Sequence, residues 1–119
     1  MALPFSERGV IVRVDRRKTP RYPFVASVEI TDEKENSRTS SKLRELSRNG
    51  CYVEMANPFP QGTDVVVEIY TDAEFLETHA KVAYTEPKQG MGLVFEELPS
   101  YFTSVLNNWL AQAKGKQVN

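Results

Sequence analysis

The sequence has one cysteine, Cys51, and one histidine, His79. A lone thiol excludes an internal disulfide and a cysteine-based zinc site, and there is no second histidine to complete another metal set. Long hydrophobic runs are also missing. Apolar stretches stop at four or five residues, far short of the roughly twenty that cross a bilayer, so membrane insertion is not expected. Met1 to Asp15 carries charges throughout and has no apolar block of signal-peptide length; a cytoplasmic location is the resulting expectation. No repeat or low-complexity tract is present, and no overall basic excess, since the formal net charge is -1. General duplex DNA binding usually needs a wider basic face, so no nucleic-acid polymer is expected as a partner.

What is there fits one small domain. A chain of 119 residues buries about two-thirds of the surface its unfolded form exposes, enough for one modest core. Its 40% hydrophobic and 26% charged content is ordinary for a soluble globular protein and does not suggest disorder. The small net charge hides an asymmetry. Residues 1–21 carry Arg8, Arg13, Arg16, Arg17, Lys18 and Arg21 against Glu7 and Asp15, a net +4, and the rest of the chain sums to -5. A basic segment on an acidic body points to a local anion site.

From Tyr22 the pattern has period two. Phe24, Ala26, Val28 and Ile30 alternate with Val25, Ser27, Glu29 and Thr31, as in a half-buried strand. Thr31 to Ser41 reads as a hairpin loop whose ends continue the strands. Lys42 to Leu46 and Cys51 to Met55 read as short strands separated by Ser47-Arg48-Asn49-Gly50, where Asn-Gly is a strong turn signal because both residues tolerate positive φ. Val65, Val67 and Ile69 mark another strand. Phe75 to Tyr84 is a further one, with Leu76, Ala80, Val82 and Tyr84 expected on one face, and Met91 to Phe95 is the last. After Pro99 the period changes. Phe102, Val105, Leu106, Trp109, Leu110 and Ala113 form one apolar stripe, which predicts a helix that Gly115 ends, with Phe102, Leu106, Trp109 and Leu110 facing the sheet. About six short strands followed by one helix predict a mainly β fold, a small barrel or sandwich.

Two clusters carry candidate chemistry. Arg16-Arg17-Lys18-Thr19-Pro20-Arg21 precedes the first strand, and arginine offers a planar fork of donors that matches phosphate oxygens and stacks on bases. Read for charge alone, it is a solvated basic stretch near a terminus. Glu45-Leu46-Ser47-Arg48-Asn49-Gly50 spans a turn. A carboxylate accepts from the N1 and N2 donors of a guanine edge, a serine hydroxyl donates or accepts beside it, and a glycine lets a flat ring approach the backbone. Read alone, it is a hairpin turn. Arg44 and Arg48 flank it as further candidates for the anion site or as solvated charges. His79 reads as an exposed strand histidine, Cys51 as a small core residue and Trp109 as packing.

The two clusters together resemble the PilZ family, whose signature is RxxxR followed by xxSxxG in a strand–turn–strand. Here the first motif runs from Arg17 to Arg21 and the second from Glu45 to Gly50, and Gly90-Met91-Gly92-Leu93-Val94-Phe95 looks like the family's late strand. The resemblance implies a six-stranded antiparallel β-barrel with a C-terminal helix. It also implies a non-catalytic receptor for the bacterial second messenger cyclic di-GMP, with no metal and no cofactor. Arg17 and Arg21 would hold phosphates and guanines, Ser47 would contact the ligand, and Gly50 would keep the turn open. Glu45 stands where the family usually has Asp or Asn. Arg16, just before RxxxR, resembles the form that holds a stacked pair of ligands.

The expected organisation is a mobile basic segment over 1–21, a barrel with its helix over 22–115, and a tail over 116–119. Ligand would order the basic segment and so signal to a downstream protein partner. The alternative is a divergent PilZ-like adaptor that binds protein and not nucleotide, favoured by Glu45. A single-strand-binding barrel would need aromatics interleaved with basic residues on strands. A phosphodiesterase would need a metal cluster or a base–nucleophile pair. Neither pattern is present.

Overall fold

Period-two alternation produces six strands, and the computed structural model, which describes residues 19–117, closes them into a barrel. The strands are β1 (Arg21–Asp32), β2 (Arg38–Ser47), β3 (Gly50–Glu54), β4 (Asp64–Tyr70), β5 (Phe75–Glu86) and β6 (Gly90–Phe95), followed by the helix α1 (Ser100–Gln117). Every pairing is antiparallel, and the order around the barrel is β1-β2-β3-β6-β5-β4. Closure leaves no free sheet edge. Val28, Ile30, Leu43, Val53, Val67, Ile69, Leu76 and Leu93 fill the interior. The hairpin expected over Thr31 to Ser41 is mostly strand: β1 runs to Asp32 and β2 starts at Arg38.

Three irregularities interrupt the alternation and shape the outer surface. The register shifts between Pro23 and Ala26 on β1, between Leu43 and Glu45 on β2, and between Val82 and Tyr84 on β5. An extra residue in one strand reverses which face its neighbours occupy. On β2 it leaves Leu43 and Leu46 both buried and turns Arg44 and Glu45 outward. On β5 it corrects the expectation for Tyr84. Val82 points into the core, but Ala83 is the extra residue, and Tyr84 emerges outside opposite Gly92.

The helix behaves as its stripe predicts and ends later. Phe102, Leu106, Trp109 and Ala113 are buried, with Val105 and Leu110 partly so. It packs on β1 and β5, the strands either side of β4. Gly115 does not terminate it, because α1 continues to Gln117. Among the described residues no helix is long and apolar enough to cross a membrane.

His79 lies on the outer face of β5, where its Nδ1 is 2.8 Å from Glu33 Oε2. This hydrogen bond, above all, holds the imidazole above its ordinary value of 6.5. A raised folded-state pKa means that the pair stabilises the fold fully below pH 6.5 and that this contribution is lost as pH rises through the raised value. The pair is exposed, so the effect is small. An NMR titration of the ring is expected to give a midpoint above 6.5 in the wild type and one shifted back toward it in Glu33→Gln. Identical midpoints would show that the pair does not form in solution.

Candidate functional site

The antiparallel pairing of β1 with β2 brings the end of the arginine cluster, Thr19 to Arg21, to the Glu45–Gly50 cluster. Because the start of β1 runs beside the end of β2, Arg21 sits opposite Ser47 and Pro23 opposite Glu45. Between them opens a cleft of about 750 Å³. Thr19, Pro20 and Arg21 form one wall, Ser47, Asn49 and Gly50 another, and Tyr84, Gly92 and Val94 of β5 and β6 complete it.

The Ser47–Gly50 turn is built by its serine. Ser47 is buried, and its Oγ accepts from the N–H of Asn49 (3.2 Å) and of Gly50 (3.1 Å) and donates to the Gly50 carbonyl (3.2 Å). A short hydroxyl side chain that bonds the backbone ahead of it stabilises a tight turn. Asn49 and Gly50 do not take up positive φ. The glycine is needed for a different reason: a Cβ at position 50 would lie 1.9 Å from the Leu93 carbonyl oxygen of β6. Asn49 reaches back across the cleft, its Nδ2 donating to Thr19 Oγ1 at 3.0 Å. The turn therefore holds the last residues of the arginine cluster.

Arg21 is half exposed and hydrogen-bonded to a neutral partner. Its Nη1 donates to Tyr84 Oη at 2.8 Å, and its Nε lies 3.7 Å from Glu45 Oε1. The hydrogen bond it donates to Tyr84 is the main reason the guanidinium is held above its usual value. Burial opposes this, and the carboxylates of Glu45 and Glu86 add charge attraction. Beside Tyr84 stands Tyr52, with ring centroids 6.2 Å apart, and its hydroxyl is 2.5 Å from Glu86 Oε1. Desolvation first, then the hydrogen bond to Glu86, hold the Tyr52 phenol above its ordinary value. Cys51 also lines the cleft, but burial pushes its thiol up to about 12. A thiol of that acidity is not a nucleophile near neutral pH. Among the described residues no cluster of His, Cys, Asp and Glu is arranged to hold a metal ion.

Of the residues singled out in the sequence, Arg21, Ser47 and Gly50 line the cleft. Glu45 stands beside it as the ion-pair partner of Arg21. Arg44 is paired elsewhere, with Glu54 at 2.7 Å, and Arg48 is exposed. Arg16 and Arg17, with the basic segment through Lys18, fall outside the described residues. The sequence reading missed Asn49 and Tyr84 as site residues. In the sequence Asn49 signals only a turn. Tyr84 depends on the β5 bulge, although the glycines at 90 and 92 on one face of β6 hinted that something covers that face.

A model of the PilZ domain matches residues 15–112. Among solved structures, the chain is similar to the Bacillus subtilis inhibitor of motility MotI/DgrA, with a TM-score of 0.72 and 22% identity over 98% of this chain and 59% of that chain. It is also similar to the PilZ domain of YcgR from Escherichia coli, solved with c-di-GMP, with a TM-score of 0.71 and 13% identity over 87% of this chain and 95% of that one. For the PilZ domain of CeSA from a cellulose-synthesizing bacterium the TM-score is 0.62 and the identity 18%, over 82% and 98% of the two chains. At these identities the likeness is one of fold, and the chain spans less than two-thirds of the length of MotI/DgrA. None of the curated proteins matches the sequence. With the family match reaching from the arginine motif into the helix, and the barrel order agreeing, the chain belongs to the PilZ domain family.

Proposed function

We propose that this chain is a non-catalytic receptor domain for cyclic di-GMP. One observation carries the reading: Arg21, the last residue of RxxxR, sits directly opposite Ser47 of xxSxxG at one open cleft, although the two are distant in sequence. A bis-phosphate ligand needs a cation at an open site, and Arg21 supplies one at the cleft beside the Ser47–Gly50 turn. Arg17 would join Arg21 on the phosphates. Arg16 would supply the further cation that a stacked pair of ligands, with its four phosphate charges, requires. Thr19, bonded to Asn49, ties this segment to the barrel. Ligand capture by residues 16–21 would order the basic segment and create a surface for a protein partner. The YcgR PilZ domain solved with c-di-GMP shares this fold. Calorimetric titration with cyclic di-GMP is expected to show saturable binding, with two ligands per chain if Arg16 acts as proposed. The absence of any heat at high ligand concentration, backed by no NMR shift in the Ser47–Gly50 turn, overturns the reading.

Glu45 gives the sharpest test of how guanine is held. Its carboxylate lies 3.7 Å from Arg21 Nε, beside the cleft and partly exposed, while Arg44 pairs with Glu54. Glu45→Ala is expected to weaken binding several-fold by removing the acceptor for guanine donors, a loss on the order of 1 kcal/mol or more. Glu45→Asp is expected to preserve or tighten binding, with the salt dependence little changed because the arginine–phosphate contacts remain. Affinities within about twofold for all three proteins would reduce Glu45 to an exposed partner of Arg21.

A further inference from the structure

Tyr84 is outside both motifs, yet several features of the fold converge on its placement. The extra residue Ala83 turns it from the core to the outer face of β5. Gly92 lies opposite, and a Cβ there would fall 2.2 Å from Tyr84 Cε1, so the ring rests on bare backbone. Tyr52 packs alongside the ring and is itself tied to Glu86. Bracketed in this way, the phenol lines the cleft and takes a 2.8 Å hydrogen bond from Arg21 Nη1.

The chemistry of that partner matters. A carboxylate in the same place would orient the guanidinium and also neutralise it. A phenol orients it and leaves its charge intact. Glu45, at 3.7 Å, is beyond hydrogen-bonding distance. Among the described residues the bond to Tyr84 is the one hydrogen bond the Arg21 guanidinium donates, and its other N–H groups meet no acceptor there. An arginine held in this way also has less rotamer freedom to lose when it captures a ligand.

We propose that Tyr84 is a positioning residue of the nucleotide site, holding Arg21 through its hydroxyl in a fixed, still fully charged orientation at the cleft. This inference rests on the receptor reading above. It is tested by Tyr84→Phe, which removes the hydroxyl and keeps the ring over Gly92. The measurements are calorimetric titration with cyclic di-GMP, thermal melting, and the rotational exchange of the Arg21 guanidinium in a 15N-labelled chain, its signal assigned by its loss in Arg21→Lys. In the wild type the guanidinium is expected to rotate slowly. In Tyr84→Phe it is expected to rotate freely, with affinity roughly five- to tenfold lower, the loss of about one hydrogen bond, and with an unchanged melting midpoint. Wild-type affinity in Tyr84→Phe overturns the inference alone. So does an affinity loss without any change in Arg21 rotation, because the tyrosine would then act by another route. A wild-type chain that binds no cyclic di-GMP overturns the receptor reading and this role together.

Discussion

Arg21→Ala is expected to weaken cyclic di-GMP binding at least tenfold while leaving the thermal midpoint nearly unchanged. Hydrogen bonds to charged groups contribute about 1.5–3 kcal/mol, and a tenfold change in affinity corresponds to about 1.4 kcal/mol. Little stability is at risk. The side chain is 54% exposed and its ion pair with Glu45 is open to solvent, where such pairs contribute little. The bond to Tyr84 also lies on the outer surface. Arg17→Ala is expected to behave in the same way, from its place in RxxxR. The check is a titration beside a melting curve for each variant. Unchanged binding in both would remove the cleft as the ligand site, and a large loss of stability would mean that Arg21 serves the barrel and not a ligand.

Trp109→Ala is expected to produce the opposite profile, with a large loss of stability and no direct effect on the cleft. Trp109 is 1% exposed, its ring stacks on Phe24 at a centroid distance of 5.6 Å, and its Nε1 donates to Glu74 Oε1 at 3.2 Å. Truncation would leave a cavity between α1 and the barrel and strip the cover from Phe24. Removing a buried aromatic costs about 3–5 kcal/mol, which for a domain of this size lowers the midpoint by on the order of 10–20 °C. Trp109→Phe should recover much of this, since it restores most of the apolar volume and loses the single hydrogen bond. Urea unfolding followed by circular dichroism measures both variants. A cost under about 1 kcal/mol for Trp109→Ala would show that the helix contributes little to the fold.

The contrast between these residues reflects how the chain divides its work. The barrel interior is closed and mainly apolar, and the cleft lies on its outer face, at the end where β1 begins and β2 turns into β3. Ser47 is the junction. It is buried like a core residue, yet its hydroxyl shapes the turn that lines the cleft. In this structure its visible role is to hold Asn49 and Gly50 in place. A Ser47 substitution would therefore disturb the site through the turn backbone as well as through any contact with ligand.

Much of this was legible before folding because it is local. Alternation along Val65–Ile69 and the stripe from Phe102 to Ala113 each depend on which neighbours share a face, and such periods can be read from a linear string. The arginine cluster and the Ser-x-x-Gly turn were likewise visible as short motifs. Other features depended on chain segments far apart. The Arg21–Ser47 register follows from how β1 and β2 pair, and the need for Gly50 follows from the Leu93 carbonyl across the β3–β6 ladder. The outward turn of Tyr84 follows from a single extra residue, Ala83, between the Val82–Leu93 and Tyr84–Gly92 pairs, which inverts the alternation after Val82. The β5 bulge leaves no mark in the hydrophobic pattern, because Ala83 and Tyr84 suit either face of a strand. The tyrosine that holds Arg21 thus reads in the linear sequence as a core residue, and strand pairing places it in the site.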